Sequence, residues 1–526
     1  MSNSIGVPLP ALYPRQISQH FSGPCFSVDA MRELDKRSAA AQGLTEFELM
    51  RLAGHAAFIH LRSLWPNAER IAVLCGTGNN GGDGWIVARH LVECGVSCDV
   101  FLLGQRDRIS GPARRAYDEW RTVSPDVERS SQDWFDFAER EVCYDVLVDA
   151  LVGIGMKGRA RPEFNALVES INGVTTPVLS LDVPSGLDGN TGASQSSVVE
   201  AHTTITFIAM KPGLLTGRAR DVVGHLTLES LGTPSRVFDE VAPASLCWAN
   251  ELPSPLLRPR RATAHKGTLG HVLIVGGNVG MGGAAILAAA AALRAGAGLV
   301  SLATRSVNLL AAITRHPEVM THDIDQPEDL SACLERASIV VIGPGLGVNE
   351  WSKACLKLVL ESKKPLVVDA DALNLLAEDA STARLAEGCV LTPHPGEAAR
   401  LAKVQVSDIE SDRLSWAQSL ARRYQSTIIL KGAGSIVATH EEARVPDICS
   451  TGNPGMATGG MGDVLAGVVG ALLGQGHEAG IAALGGTLVH AAAGDRAWRD
   501  QGIGLTATDV IGYLGSVLTP ELVDTQ

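Results

Sequence analysis

Short, continuously apolar runs alternate with longer amphipathic segments over two stretches of the chain, from about Ser27 to Leu231 and from about Thr263 to Leu518. In the first, IAVLCG (71–76), CDVFLLG (98–104), YDVLVDALVG (144–153), TPVLSLDVPSG (176–186) and TTITFIAMK (203–211) have the length of strands. In the second the corresponding runs are HVLIVGG (271–277), GLVSLAT (298–304), SIVVIGPG (338–345), PLVVDAD (365–371), CVLTPHPG (389–396) and TIILKGAGSIVAT (427–439). Unbroken apolar runs separated by helix-length segments are what parallel strands buried on both faces require. Each stretch therefore predicts a doubly wound α/β layer, with its ligand crevice beyond the carboxyl ends of the strands. The connection TPSRVFDEVAPASLCWANELPSPLLRPRR is rich in Pro and Ser and has neither periodicity. The expected organisation is an extension over 1–25, domains over 26–235 and 262–520, and a linker over 236–261.

With 526 residues, length alone admits two to four domains. A content of 45% hydrophobic and 19% charged residues is that of a folded chain. Lys and Arg number 44 against 57 Asp and Glu, a net charge of −13, which argues against nucleic acid as a partner and leaves small anionic ligands open. Ten cysteines are scattered, and the close pair Cys94 and Cys98, in a helical-looking stretch, has no further ligands nearby. They read as structural or free thiols. The first residues, MSNSIGVPLPALYPRQ, lack a basic segment followed by an apolar core, so no secretory signal is expected. AAILAAAAALRAGAG is interrupted by Arg294 and rich in Ala and Gly, which predicts a tightly packed helix rather than a membrane span. The expected location is the cytoplasm, with no membrane partner.

Candidate chemistry in the first half lies at three strand ends. In GTGNNGGDG, the pattern Gly76, Gly78, Gly81 is by itself weak evidence for a nucleotide loop, but the full string is restrictive. Its glycines allow a sharp turn and bring N–H groups close to an anion at a helix start, while Asn79 and Asn80 both donate and accept. Asp83 is placed where a helix cap would sit, on a helix starting near Gly84, a role compatible with binding. Asp99 falls at the start of its strand, away from the ribose position of an ordinary dinucleotide fold. VDALVGIGMKGR ends a strand at Asp149 and continues through Gly153, Gly155, Lys157, Gly158 and Arg159, a loop suited to a pyrophosphate. LDVPSGLDG ends another at Asp182, followed by Ser185; an acid there can act as base or cation ligand, or cap a turn.

In the second half, TGNPGMATGGMGDVLAGVVGALLG runs a glycine loop into Asp463, with an apolar helix beginning at once after it. Exposed N–H groups of 459–463 and the helix dipole form an anion hole, and Asp463 at its mouth can take a proton from an attacking hydroxyl. KGAGS brings Lys431 beside Gly432 and Gly434 for a nucleotide phosphate, VDADALN puts Asp369 and Asp371 at a strand end, and TPHPGE does the same for His394 and Glu397.

GTGNNGGDG, VDALVGIGMKGR and DVPSGLDG, in this order and spacing, resemble the NAD(P)H-hydrate epimerase domain over about 26–235, and LMRLAG (49–54) resembles that family's first helix, with Arg51 where an acid is commoner. The resemblance implies that Asn79, Asn80, Gly81, Gly82 and Asp83, then Gly153, Ile154, Gly155, Met156, Lys157, Gly158 and Arg159, with Asp182, hold a hydrated dinucleotide. It implies that Asn80, Asp149 and Ser185 hold potassium, and that Asp182 carries the proton transfer. The strings KGTLGHVLIVGG, GAAILAAAAALRAGAGLV, GPGLG, VVDADALN, LTPHPGE, KGAGS and GMGDVLAG resemble the ADP/ATP-dependent NAD(P)H-hydrate dehydratases, a ribokinase-like branch, over about 262–520. By this resemblance Ala284, Gly347, His394 and Asp463 contact the hydrate, while Lys431, Gly432, Ala433, Gly434, Ser435 and Gly462 hold the adenine nucleotide. Met461 departs from the small or hydroxyl residue usual before Gly-Asp.

The implied architecture is a Rossmann-like three-layer domain followed by a ribokinase-like domain. The implied function is repair of the hydrates NADHX and NADPHX: the R and S epimers are interconverted, and the S form is dehydrated at the expense of ADP, giving AMP and phosphate. Magnesium and potassium are the expected cations, ATP is an alternative donor, and a homo-oligomer is expected. The rival readings are a ribokinase-like small-molecule kinase fused to a nucleotide-binding module, and a nucleotide sensor without turnover.

Overall fold

The computed structural model describes residues 21–124, 128–139, 143–155, 161–249, 251–257, 260–378 and 385–519. It divides into two compact units, Gly23–Leu246 and the chain from Cys247 onward. The connecting stretch is more ordered than its composition predicts, with a helical turn over Ser235–Asp239 and a strand over Ser245–Trp248.

In the first unit the strands are β1 (Arg70–Cys75), β2 (Ser97–Leu102), β3 (Glu128–Ser130), β4 (Val146–Ala150), β5 (Val178–Leu181), β6 (Thr203–Phe207) and β7 (His225–Glu229). Their order is β3-β2-β1-β4-β5-β6-β7, with every pair parallel. The direction of winding reverses between β1 and β4, which opens a crevice at their carboxyl ends. The edge strands β3 and β7 have little apolar signal, which is why hydropathy alone does not find them. Cys94 ends the helix after β1 and Cys98 lies buried on β2, so the two thiols do not share a helix.

Two helices precede the sheet. Helix α1 (Val28–Gln42) is capped by Ser27, whose Oγ accepts from Ala30 N at 3.2 Å, and stops at Gly43 in the left-handed region. Helix α2 (Glu46–Leu64) starts with a Thr45–Glu48 capping box and carries the LMRLAG segment. Both put an apolar stripe inward, Met31 and Leu34 from α1 and Leu49, Met50 and Ala53 from α2. The glycine loop leads into α3 (Asn79–Glu93). Glycine at 84 is a packing requirement: a Cβ there would lie 2.6 Å from Ala150 Cβ and 2.8 Å from Cys75 Sγ, so α3 rests directly on β1 and β4.

In the second unit the strands are β8 (His271–Val275), β9 (Leu299–Thr304), β10 (Met320–Asp323), β11 (Ile339–Ile342), β12 (Leu366–Val368), β13 (Val390–Leu391), β14 (Thr427–Leu430), β15 (Ser435–Ala438) and β16 (Asp447–Cys449). The order is β16-β15-β14-β13-β12-β11-β8-β9-β10. Strands β8 to β14 are mutually parallel, but β14/β15 and β15/β16 are antiparallel. The run 427–439 is thus a hairpin rather than one strand, because Gly432 and Gly434 take positive φ between its halves.

Helix α4 (Gly282–Arg294) packs against α5 (Met461–Gly474), which is apolar apart from Asp463. A Cβ at Gly467 would lie 2.2 Å from Ala288 O, and one at Gly470 would lie 2.4 Å from Val341 Cγ2. Alanine and glycine in both helices let α5 wedge between α4 and the sheet, and that wedge sets where its N-terminus points.

Candidate active sites

In the first unit a cavity of about 620 Å³ opens at the sheet mouth. One wall is formed by strand ends: Gly76–Asn80 after β1, Leu151–Gly155 after β4, Asp182 after β5 and Lys211 beyond β6. The other is formed by α1 and α2, with Met31, Arg32, Asp35, Lys36, Glu46, Leu49, Met50 and Ala53. The structure thus brings together Asn79, Asn80, Asp83, Gly153, Ile154, Gly155 and Asp182. Gly81 and Gly82 sit beneath as packing positions: added Cβ atoms would meet Gly76 O at 2.0 Å and Met50 Sδ at 2.6 Å. Met156, Lys157, Gly158 and Arg159 lie outside the described residues.

Asp83 does not cap its helix. Gly78 is the N-cap and α3 begins at Asn79, so Asp83 stands in the second turn, buried and aimed at the cavity. Desolvation, then the negative charges of Asp182 and Asp35, push its pKa well above the carboxylate range, against an opposing pull from Lys211. Asn80 bridges two strand ends: with its amide turned so that both ends are satisfied, the nitrogen donates to Leu181 O at 3.1 Å and the oxygen accepts from Gly153 N at 3.2 Å.

Asp182 has φ +63°, a conformation that costs a non-glycine residue about 1–2 kcal/mol and is held only by its surroundings. Its N–H donates to Ile205 O at 2.7 Å. Its Oδ1 accepts from Lys211 Nζ at 2.5 Å and from Thr206 Oγ1 at 3.3 Å. Lys211 is 1% exposed and also donates to Thr206 Oγ1 and Phe207 O. Sequence reasoning missed Lys211 and Asp35. Lys211 was legible as a charge closing the apolar run 203–211; Asp35 lies on an ordinary amphipathic helix and carried no signal. Burial, with Asp182 and Glu46 adding to it against Lys211 and Arg32, raises Asp35 to about 6.

Asp149 is fully buried below this mouth. Its carboxylate accepts from Ser185 Oγ at 2.6 Å, Ser185 N at 2.9 Å, Ser180 Oγ at 2.8 Å and Leu151 N at 3.3 Å, and Ser185 Oγ also accepts from Val152 N at 2.8 Å. Burial raises its pKa and these donors pull it down. Among the described residues, every donor to this buried carboxyl is neutral.

In the second unit Asp463 is the centre. The N-cap of α5 is Gly460, at φ +92°, and Asp463 is the third helical residue, inside the first turn rather than before it. Burial, then Asp369, Asp371 and Glu397, raise it to about 7 against Lys431. Lys431 Nζ donates to Asp369 Oδ1 at 2.7 Å and stands 3.7 Å from Glu397 Oε2. Burial works against its charge, yet those carboxylates hold its pKa above the ordinary value. Thr392 Oγ1 completes Asp369 with a donation at 2.6 Å. A Cβ at Gly462 would lie 3.3 Å from Lys431 Nζ and 3.7 Å from Asp369 Oδ2, so glycine keeps the helix start open to the lysine.

A second group joins from β8 and β11. Asn278 N donates to Gly345 O at 2.7 Å and its side-chain amide donates to Leu346 O at 3.0 Å, tying the 277–284 loop to the 343–347 turn. Ala284 lies against Gly345, and Gly347 N donates to Asp371 Oδ2 at 2.8 Å. His394 is the N-cap of Pro395–Ala402: its Nδ1 accepts from Gly396 N at 3.0 Å, and Glu397 accepts from His394 N at 2.7 Å. Burial, then Lys431, lower its pKa; the side chain is half exposed, with Nε2 3.4 Å from Glu397 Oε1. The Lys431–Ser435 turn is braced by buried Arg413, which donates to Lys431 O at 3.1 Å. His490 was also missed; it is buried, near Lys431, with Nε2 unpartnered among the described residues, and burial, then Lys431, lower it to about 4. No helix among the described residues is long and apolar enough to cross a membrane.

Two sheet mouths, each joining a glycine-started helix to carboxylates and a lysine, define a two-domain α/β enzyme with a separate site in each domain. Residues 46–213 match the family described as YjeF-related protein N-terminus, and 272–515 match NAD(P)H-hydrate dehydratase. The chain is 44% identical to the bifunctional NAD(P)H-hydrate repair enzyme Nnr of Escherichia coli, over 94% of each chain. It is 42% identical to that of Coxiella burnetii (93% of this chain, 98% of the other) and 36% identical to the repair enzyme of Leishmania infantum (92% of each). The ADP/ATP-dependent NAD(P)H-hydrate dehydratase of Bacillus subtilis, co-crystallised with ATP and Mg2+, is 28% identical over 50% of this chain and 93% of its own, with a TM-score of 0.44. The chain belongs to the family of bifunctional NAD(P)H-hydrate repair enzymes.

Proposed function

We propose that this chain repairs hydrated nicotinamide nucleotides in two steps, the first unit interconverting the R and S epimers of NADHX and NADPHX and the second dehydrating the S epimer with ADP. The observation that carries the reading is the pairing of Asp463, raised to about 7, with an open helix start and Lys431. A hydroxyl is a poor leaving group. Phosphoryl transfer from ADP turns it into a good one, and elimination then restores the dihydropyridine with AMP and phosphate as products. Asp463 takes the hydroxyl proton, while Lys431 and the N–H groups at Gly462 and Asp463 bind the transferring phosphoryl group. Lys431–Ser435 and Gly462 hold ADP, and Ala284, Gly347 and His394 position the hydrate against Asp463. In the first unit, 79–83, 153–159 and Asp182 hold the hydrate, and Asp182 transfers a proton.

Asn80, Asp149 and Ser185 suit potassium: all three offer hard oxygen donors, and among the described residues the buried Asp149 carboxyl has only neutral donors. When bound, the ion supplies charge that offsets Asp149. Magnesium fits as an ion carried on nucleotide phosphates, since among the described residues no three acidic, His or Cys side chains converge on one point. ATP is the alternative donor. A cytoplasmic location is supported by ten cysteines without a disulfide. Self-association is supported by the exposed Val307, Leu310 and Ile313, and a monomer mass by light scattering would end it.

The test is to incubate the chain with mixed-epimer NADPHX, magnesium, potassium and either ADP or ATP, and to follow NADPH absorbance. Full recovery supports both sites and names the donor. Recovery that stops at the S fraction ends the epimerase assignment. A stable phosphorylated product in place of free phosphate favours the kinase reading.

A further inference from the structure

The first site holds more acid than a single-residue proton transfer needs. Asp182 stands on the strand-end wall, salt-bridged to Lys211, and Asp35 stands on the α1 wall of the same cavity. Inverting a carbon that bears a hydroxyl by loss and re-addition of water takes chemistry on both of its faces: one group leaves from one side and water adds from the other. A single residue on one wall serves one face. We propose that Asp35 is the second proton-transfer residue of the first site, working from the helical wall as the partner of Asp182. This inference rests on the epimerase reading above.

Water added across an enamine leaves its hydroxyl on the carbon bonded to nitrogen, because the nitrogen lone pair stabilises the cation there. Protonated Asp35 gives its proton to that hydroxyl. The C–O bond breaks with its electron pair on oxygen, water departs, and the nitrogen lone pair forms C=N. A water on the other face attacks the carbon, Asp182 takes its proton, and the C=N electron pair returns to nitrogen. One proton has moved from Asp35 to Asp182, and the opposite epimer returns it by the same steps reversed.

The environments separate the two carboxyls as this scheme needs. Asp182 has an ammonium at 2.5 Å, whereas Asp35 faces Lys211, Asp182, Glu46 and Arg32, with Asp83 lining the same cavity, and is raised to about 6 by its burial. A carboxyl whose pKa is raised toward neutrality, in one cavity with a second carboxyl paired to a lysine, is an arrangement suited to general acid–base work. Since protonated Asp35 is the competent form, epimerisation slows as pH rises above about 6.

The test uses the full chain, Asp35→Asn and Asp35→Glu, with mixed-epimer NADPHX and no ADP, following R and S by chromatography and subtracting the protein-free rate. Asp35→Asn is expected to lower kcat at least about 100-fold with KM within a few fold, and to lose the fall above pH 6. Asp35→Glu is expected to retain part of the rate and that fall. An Asp35→Asn rate within threefold of the unmodified chain overturns the inference and leaves the epimerase reading intact. An unmodified chain that interconverts nothing overturns the reading itself, and the inference with it. Should neither variant fold, the unmodified chain decides: a kcat that does not fall between pH 6 and 8 sinks the proposal.

Discussion

The two sites begin with the same kind of string, a glycine loop ending in aspartate before an apolar helix, yet they place that aspartate differently. In the first unit α3 starts at Asn79, and Asp83 lies in its second turn, buried and beside other acids. In the second, Gly460 delays the start of α5, and Asp463 lies in the first turn, beside Lys431. The lysines differ as well. Lys211 is sealed at 1% exposure on Asp182, while Lys431 is 18% exposed and reaches the open helix start. One turn of helix thus separates a carboxyl that burial and neighbouring acids push well above the carboxylate range from one raised to about 7. The first lysine fixes a strained strand end, and the second is placed for a ligand phosphate.

The sharpest way to break this comparison is Asp463→Asn. Dehydration of S-NADPHX is expected to fall about 10²–10⁴-fold, with R/S interconversion unchanged within twofold. Loss of both activities in a folded variant would mean the two sites are not independent.

Next in size is Lys211→Met. Removing one partner from a buried pair strands Asp182, and the first unit should lose about 3–5 kcal/mol, read by urea unfolding through the fluorescence of buried Trp85 and Trp120. A loss under about 1 kcal/mol would make this lysine as dispensable as a surface charge.

The pH profile gives a smaller effect of definite sign. As a base, Asp463 must be ionised, so kcat for dehydration should climb with pH through about 7, roughly 30-fold between pH 5.5 and 8. A flat profile would remove Asp463 as the titrating group. The smallest effect is expected for Asp83→Asn. Burial and the neighbouring acids shift that carboxyl toward its protonated form, so an amide of the same shape should change the KM for epimerisation by less than about tenfold. A loss beyond 100-fold would mean that Asp83 works ionised and that the contrast with Asp463 is false.

The strand-end residues were legible because the chemistry at a parallel sheet's mouth follows its apolar runs directly in sequence. Asp149, Asp182, Asp369 and Lys431 all stand within four residues of a strand end. Asp35 was not legible, since it reaches the cavity by the packing of α1 over that mouth. The antiparallel edge at 427–449 was hidden for a related reason: hydropathy reports burial, not direction, and the turn at Gly432 and Gly434 keeps both strands apolar.

The residues alone determined two α/β halves, where each sheet mouth falls, and the glycine and acidic side chains that gather there, because apolar period and turn chemistry are local properties. Only the tertiary structure decided which acids meet, which of them a lysine neutralises, and where each helix starts. Those depend on desolvation and on distances between segments far apart in sequence: Asp35 with Asp182, and Lys431 with Asp369, 62 residues away. No periodicity encodes the field that one buried charge exerts on another.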